Sequence, residues 1–284
     1  MMNVLNCRPA LRFLLLVGVL CGLFQGISVA QSGNLQPAKS LVFRTLIGEG
    51  SVDGIAFCNQ GIGRESTTIR ANSYRRSPFY EYQGATTILF YDTSGGGPIV
   101  TREEALEAAA EGETVKASTV VGSVDLSNAP SSHSLLLFSK DPEAENRYRI
   151  RVIDESPARF PVDSVRLFNF TPDKYYVNIN GTRTALSPGA EKDITPKDRP
   201  ETGGILVRLG LERQDKIGAV FSRAFSFRKG NRGVIFIRPG EVESGLPSIS
   251  TIKDNPVLVT NYLTHRAEQK KKARTGQNPP SSNP

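Results

Sequence analysis

From Leu41 onward the sequence is cut every few residues by Gly, Pro, Asn or Asp, and between the cuts lie short runs rich in β-branched and aromatic residues. Such runs occur at 41–47, 52–58, 67–71, 79–83, 85–91, 115–126, 134–139 and 147–153, with turn signals such as Gly48-Glu49-Gly50 and Asp92-Thr93-Ser94-Gly95 between them. Runs this short do not build long helices, and their spacing is that of a sandwich or barrel. One segment departs from the pattern. Thr101-Arg102-Glu103-Glu104 has capping-box spacing, Ala105 to Ala110 are good helix formers and Gly112 is a stop, which predicts a short surface helix at about 101–111.

Between Asp154 and Asp163 two prolines and several charges mark a boundary between two lobes. A second β series follows. Val165 to Phe170 alternates, and Tyr175–Ile179, Asn180-Gly181 and Thr182–Leu186 make a hairpin, because Asn-Gly tolerates the positive φ of a type I′ turn. Strands are expected at 204–212, 217–228 and 234–237, after which the pattern thins, with a short strand or helical turn at Val257-Leu258-Val259. The predicted fold is all-β: two antiparallel β-sandwich-like lobes at 41–155 and 160–250, a lead-in at 31–40, and a disordered basic tail at 264–284 that buries too little apolar surface to order itself. No internal sequence repeat stands out.

The first thirty residues read as a cleavable export signal: Arg8 and Arg12, an apolar run from Phe13 to Phe24, then Ser28-Val29-Ala30 before Gln31. The run is too short to cross a bilayer. Of the 35 basic and 28 acidic residues, two basic residues lie in this leader, and five, against Glu268 alone, lie beyond Leu263. The part between them is nearly neutral, so attraction to polyanions resides in Lys270, Lys271, Lys272 and Arg274. Cys58 is the sole cysteine beyond the leader, so folding rests on packing, and at the end of Ile55-Ala56-Phe57 it reads as a small buried residue.

No catalytic, metal or cofactor motif is complete. The two histidines, His133 and His265, lack triad companions, and with one cysteine they make no zinc set. Gly61-Ile62-Gly63-Arg64-Glu65-Ser66 begins like a dinucleotide loop, but β-branched residues follow where a helix should receive the pyrophosphate. Asp141 to Asn146 opens like a calcium loop but lacks its sixth-position glycine and twelfth-position glutamate. The most unusual surface chemistry lies at Arg70, Tyr74, Arg75, Arg76, Tyr80 and Tyr82, where arginines beside tyrosines can stack on flat ligands or fork onto anions and sugars. Alternation places Tyr80 and Tyr82 on one face of their strand and Glu81 on the other.

Three stretches carry a resemblance: Arg76-Ser77-Pro78-Phe79-Tyr80-Glu81-Tyr82-Gln83-Gly84, the segment from Phe160 to Thr171, and Leu186-Ser187-Pro188-Gly189. Through them the chain resembles an uncharacterised group of secreted, immunoglobulin-like β-sandwich proteins from envelope-rich bacteria. Its second half is similar to sandwich modules of envelope and exopolysaccharide accessory proteins. The resemblance implies an export compartment and a fold, and transfers no site residue. Together these readings lead to an exported non-catalytic protein that binds or scaffolds an envelope polymer or protein, with the tail on anionic surfaces and no specific nucleic acid. The alternative is a secreted glycan hydrolase with a carboxylate pair.

Overall fold

The computed structural model describes residues 39–59, 66–96, 98–130, 133–198, 203–214, 216–240 and 245–275. The expected leader and most of the lead-in, and most of the Gly61–Ser66 loop, lie outside the described residues. The first lobe runs β1 (Lys39–Ile47), β2 (Ser51–Cys58), β3 (Ser66–Asn72), β4 (Tyr80–Gly84), β5 (Thr87–Asp92), α1 (Arg102–Ala110), β6 (Val120–Asp125), β7 (Ser134–Lys140) and β8 (Tyr148–Asp154). The second runs β9 (Val165–Asn169), β10 (Tyr175–Ile179), β11 (Thr182–Leu186), β12 (Glu191–Ile194), β13 (Gly204–Arg213), β14 (Lys216–Ser226), β15 (Arg232–Arg238) and β16 (Ser248–Asp254), followed by α2 (Pro256–Thr275).

The expected local signals act where they were read. Thr101 accepts from the amide of Glu104 while the Glu104 carboxylate accepts from the amide of Thr101, closing both legs of the capping box, and no residue of α1 is buried. Asn180 and Gly181 take φ of 43° and 83°, the left-handed pair that joins β10 to β11.

Each lobe is two four-stranded sheets. The first lobe pairs them in the orders β4-β1-β7-β8 and β3-β2-β5-β6, and the second in the orders β12-β9-β15-β16 and β11-β10-β13-β14. Counting the second lobe's strands from β9 reproduces the first lobe's orders strand for strand, so the fold repeats where the sequence does not. In both lobes the first strand pairs parallel with the seventh, β1 with β7 and β9 with β15, and the remaining pairings are antiparallel.

Three cores follow from this arrangement. One lies inside the first sandwich, with Phe43, Phe57, Phe90 and Phe138, and one inside the second, with Val165, Val177, Val207 and Ile235. The third is shared: Leu46, Leu135, Leu137 and Ile153 of the first lobe pack with Phe160, Phe168, Val234, Phe236 and Ile252 of the second. The parallel-paired strands are therefore covered on both faces, which is why β1, β7, β9 and β15 are buried along nearly their whole length, although the letters of β9 alternate. Aligning the two β-ladders by the face each residue presents matches Arg44 with Arg166, Leu46 with Phe168, Leu137 with Phe236, Ile153 with Ile252 and Glu155 with Asp254.

Three expectations are corrected. Ser248–Asp254 is a full strand pairing with β15 over seven residues, although its composition is polar and its alternation weak; only the neighbouring strand makes it one. The tail from Thr264, expected to be disordered, continues α2 as far as Thr275. The helix is seeded by tertiary contact, since Val259 is buried and Tyr262 stacks on Phe79 with ring centroids 4.1 Å apart. The segment 154–163 also differs from an exposed linker, because Glu155 and Phe160 are fully buried between the lobes.

Candidate functional site

Strand β2 carries a bulge between Val52 and Ile55, where Gly54 takes φ of 71° and a Cβ would stand 3.2 Å from Ser94. The bulge carries Ser51 and Asp53 beside the start of the 73–79 loop. At this seam β3 and β4 are the edge strands of the two sheets of the first lobe. The Tyr80 hydroxyl accepts from the amide of Arg70 at 3.0 Å, and Thr45 Oγ1 donates to the Arg70 carbonyl at 2.6 Å, so side chains of β4 and β1 hold the Arg70 backbone while its own side chain is exposed. A cavity of about 600 Å³ opens there, lined by Ser51, Asp53, Arg70, Asn72, Arg75, Arg76, Ser77 and Tyr80 among others.

Four of the six residues singled out in the sequence thus meet at one opening: Arg70, Arg75, Arg76 and Tyr80. Tyr74 does not join them and stands 74 % exposed. Tyr82 turns into the core, 2 % exposed, with its hydroxyl donating to the carbonyls of Ala85 and Thr87 and its ring edge-on to Phe57. Alternation along β4 sends Tyr80 and Tyr82 to the same face, but Tyr80 sits at the strand end, where that face opens to solvent. Neither Arg70 nor Arg75 forms an ion pair with any described residue.

Arg76 behaves differently. Its side chain is 4 % exposed, and its Nε and Nη2 donate to Glu155 Oε1 at 3.0 and 2.7 Å. It belongs at once to the cavity wall and to a buried charge cluster at the lobe junction. In that cluster Arg44 donates to Glu155 at 2.8 Å and to Asp254 at 3.0 and 3.2 Å, and Arg232 donates to Asp254 at 2.8 Å and to the carbonyls of Glu155 and Phe160. Phe160 is sandwiched by cations, with Arg166 and Arg232 lying 4.4 and 4.9 Å from its ring centroid. Although burial alone would raise it, the carboxyl of Glu155 is held at about 2 by the surrounding arginines, and that of Asp254 is likewise held well below the carboxylate range.

This arrangement bears on the hydrolase alternative. Glu155 and Asp254 are close carboxylates bridged by Arg44, but both are buried and held ionised, and a glycosidase acid must keep its proton near neutral pH. His133, at 1 % exposed, lies edge-on to Phe79, and neither ring nitrogen has a hydrogen-bond partner among the described residues. Burial pushes its pKa down, so it is a neutral ring beside the cluster. The calcium-like segment is tied up internally, since Arg149 bridges Asp141 at 2.9 Å and Glu143 at 3.2 Å.

A second cavity, about 580 Å³, lies under α1 and is lined by Cys58, Tyr82, Leu89, Tyr91, Ile99, Thr101, Glu103 and Glu104 among others. Cys58 is half-buried there instead of enclosed in the core. The basic tail residues take a helical place: Arg266 forks onto the Glu81 carboxylate, with its Nη2 2.7 Å from Oε2, and Lys270 reaches the same group at 3.7 Å. Lys271 and Lys272 point to solvent beyond that anchor, and the side chain of Arg274 lies outside the described residues. Asn169-Phe170-Thr171 has the spacing of a glycosylation site but is closed to sugar, because Asn169 is 1 % exposed and its Nδ2 donates to the carbonyls of Asp173, Leu186 and Ser187.

No protein-family model matches the chain, and no curated protein matches it either. Among the described residues, no helix is long and apolar enough to cross a membrane.

The buried cluster was missed in the sequence because its members, Arg44, Arg76, Glu155, Arg232 and Asp254, are scattered over five segments. One signal was available: Arg44 and Arg232 each stand inside or beside an apolar run, where an unpaired guanidinium would be too costly to bury.

Proposed function

We propose that this chain is an exported, non-catalytic binding protein of the cell envelope, and that its ligand face is the arginine-lined cavity at the seam of β3 and β4. The observation that carries this reading is the pair Arg70 and Arg75, two guanidinium groups without a carboxylate partner among the described residues, on the wall of a cavity of about 600 Å³. Unpaired arginines fork onto carboxylate, sulfate or phosphate oxygens, whereas the arginines of the lobe junction are consumed by Glu155 and Asp254. The leader-like first thirty residues and the resemblance to secreted sandwich proteins support the compartment.

The test is retention of the full chain on envelope polysaccharide of the producing cell, compared with Arg70→Ala/Arg75→Ala. Both side chains are exposed, so the double variant keeps the fold and loses most of the retention. Equal retention of the two proteins discards the cavity as the binding face.

A second contact is favoured by one feature of α2. Arg266 anchors the helix on Glu81, and the turns beyond it present Lys271 and Lys272 to solvent. These turns contact an anionic polymer or lipid surface, and that contact weakens with salt. Truncation after Arg266 preserves the anchor and reduces the salt sensitivity of retention, leaving the part carried by Arg70 and Arg75; unchanged salt sensitivity excludes the tail.

A further inference from the structure

The lining of the arginine cavity selects among anions. Arg76 is engaged by Glu155, whose Oε1 accepts from both its Nε and its Nη2, and belongs to the buried cluster of three arginines and two carboxylates, so its charge lies behind the opening and not in it. Arg70 and Arg75 bring two positive charges, and Asp53 on the bulge of β2 returns one negative. The exposed side chains of the opening, Arg70, Arg75 and Asp53, therefore sum to one positive charge. A single carboxylate matches it, while a phosphate dianion would set its second charge against Asp53.

The remaining polar groups suit hydroxyls. Asp53 is a strong acceptor, Ser51 can donate or accept, and the Tyr80 hydroxyl, which accepts from the Arg70 amide, keeps its own proton to donate. Behind the wall, Arg76 Nη1 is buried and has no hydrogen-bond partner among the described residues, with an Asp254 oxygen 4.0 Å away.

We propose that the cavity takes an acidic saccharide, a sugar unit bearing one carboxylate: the carboxylate lies between Arg70 and Arg75, and the ring hydroxyls face Asp53, Ser51 and Tyr80. The proposal rests on the cavity being the binding face, as inferred above, and adds the ligand class.

Calorimetric titration of the full chain with digalacturonate, cellobiose and inorganic sulfate tests it. Digalacturonate binds at least tenfold more tightly than cellobiose or sulfate. Arg70→Ala and Arg75→Ala each weaken it about tenfold or more with Tm unchanged. Asp53→Ala weakens digalacturonate several-fold and tightens sulfate, a reversal of preference that loss of folding cannot produce.

If digalacturonate and cellobiose bind alike, selection by charge is wrong. If sulfate binds best and is lost in Arg70→Ala/Arg75→Ala, the cavity remains the binding face and the saccharide class is overturned. If none of the probes binds and the double variant is retained on envelope polysaccharide like the parent chain, both readings fall.

Discussion

Arg44 of the first lobe meets Asp254 of the second through two hydrogen bonds, 3.0 Å to Oδ1 and 3.2 Å to Oδ2, across 210 residues of chain. Both side chains are nearly inaccessible, so the contact is a buried ion pair, and its main effect is on which lobe arrangement is tolerated. A buried pair adds little net stability over a well-packed apolar substitute, but removing one member strands the other.

Arg44→Met leaves Asp254 and Glu155 each short of a guanidinium contact. It lowers unfolding stability by about 3–5 kcal/mol, the range for a buried pair broken on one side. Urea denaturation followed by circular dichroism reads this directly. A loss below about 1 kcal/mol would mean that water already solvates the junction.

The same cluster sets the acid limit of the fold. Glu155 and Asp254 have folded pKa values below their ordinary 4.5 and 3.8, so the stability they contribute is full above those values and drains away as pH falls toward about 2. His133 acts earlier. Burial lowers its pKa from 6.5, so the unfolded chain takes up a proton first, and stability declines as pH falls below about 6.5. The groups that act on the ring are Glu155, Arg44, Arg232 and Asp254, and Phe79 lies edge-on to it. Thermal unfolding across pH 7.5 to 3 shows a shallow loss followed by a steep one. His133→Phe removes the shallow loss and leaves the steep one, and persistence of the shallow loss in that variant assigns it elsewhere.

Gly233 is required by a neighbour, not by its own backbone. A Cβ there would stand 1.8 Å from Cζ of the fully buried Phe227, inside the second sandwich core. Gly233→Ala destabilises by at least the 1–3 kcal/mol typical of overpacking. Adding Phe227→Leu recovers part of the loss, because the shorter side chain vacates the contested space. A double variant no better than the sum of the two single changes would refute the clash.

Helix α2 hangs on few contacts, chiefly Phe79 against Tyr262 and Arg266 on Glu81. Tyr262→Ala lets it detach, with amide exchange over 256–266 at least tenfold faster and the urea midpoint of the β lobes barely moved. Glu81→Gln has a smaller effect, under about 1 kcal/mol, since that ion pair is partly exposed. Equal loss of protection throughout the lobes would make α2 part of the cooperative core.

The legible parts of the fold are those written in adjacent residues. Thr101 and Glu104 announce a helix start because both legs of the capping box close within one turn, and Asn180-Gly181 announces a hairpin because the turn geometry is set by those two residues alone. The alternation of β4 correctly put Tyr80 and Tyr82 on one face, yet it could not say that the face is open at Tyr80 and closed at Tyr82, since Tyr82 is enclosed by Phe57 and the first core while Tyr80 borders the cavity.

What the amino-acid sequence determined by itself is therefore the all-β character, the short helix α1, the hairpin, and the segment on which an arginine-rich opening forms. Tertiary structure alone decided the rest. The repeated topology is invisible in the letters because equivalent positions share burial and little else: Leu46 and Phe168 both face the shared core, and identities such as Ile153 with Ile252 are too isolated to align. Ser248–Asp254 becomes a strand only because β15 offers it an unpaired edge, and α2 extends through Thr275 only because Phe79 and Glu81 hold its first turns. Arg76, one of a pair of neighbouring arginines in the sequence, is drawn into the junction by Glu155, while Arg75 beside it stays free to meet a ligand. Their difference is a matter of which carboxylate lies within reach, and that distance is fixed by how two distant lobes pack.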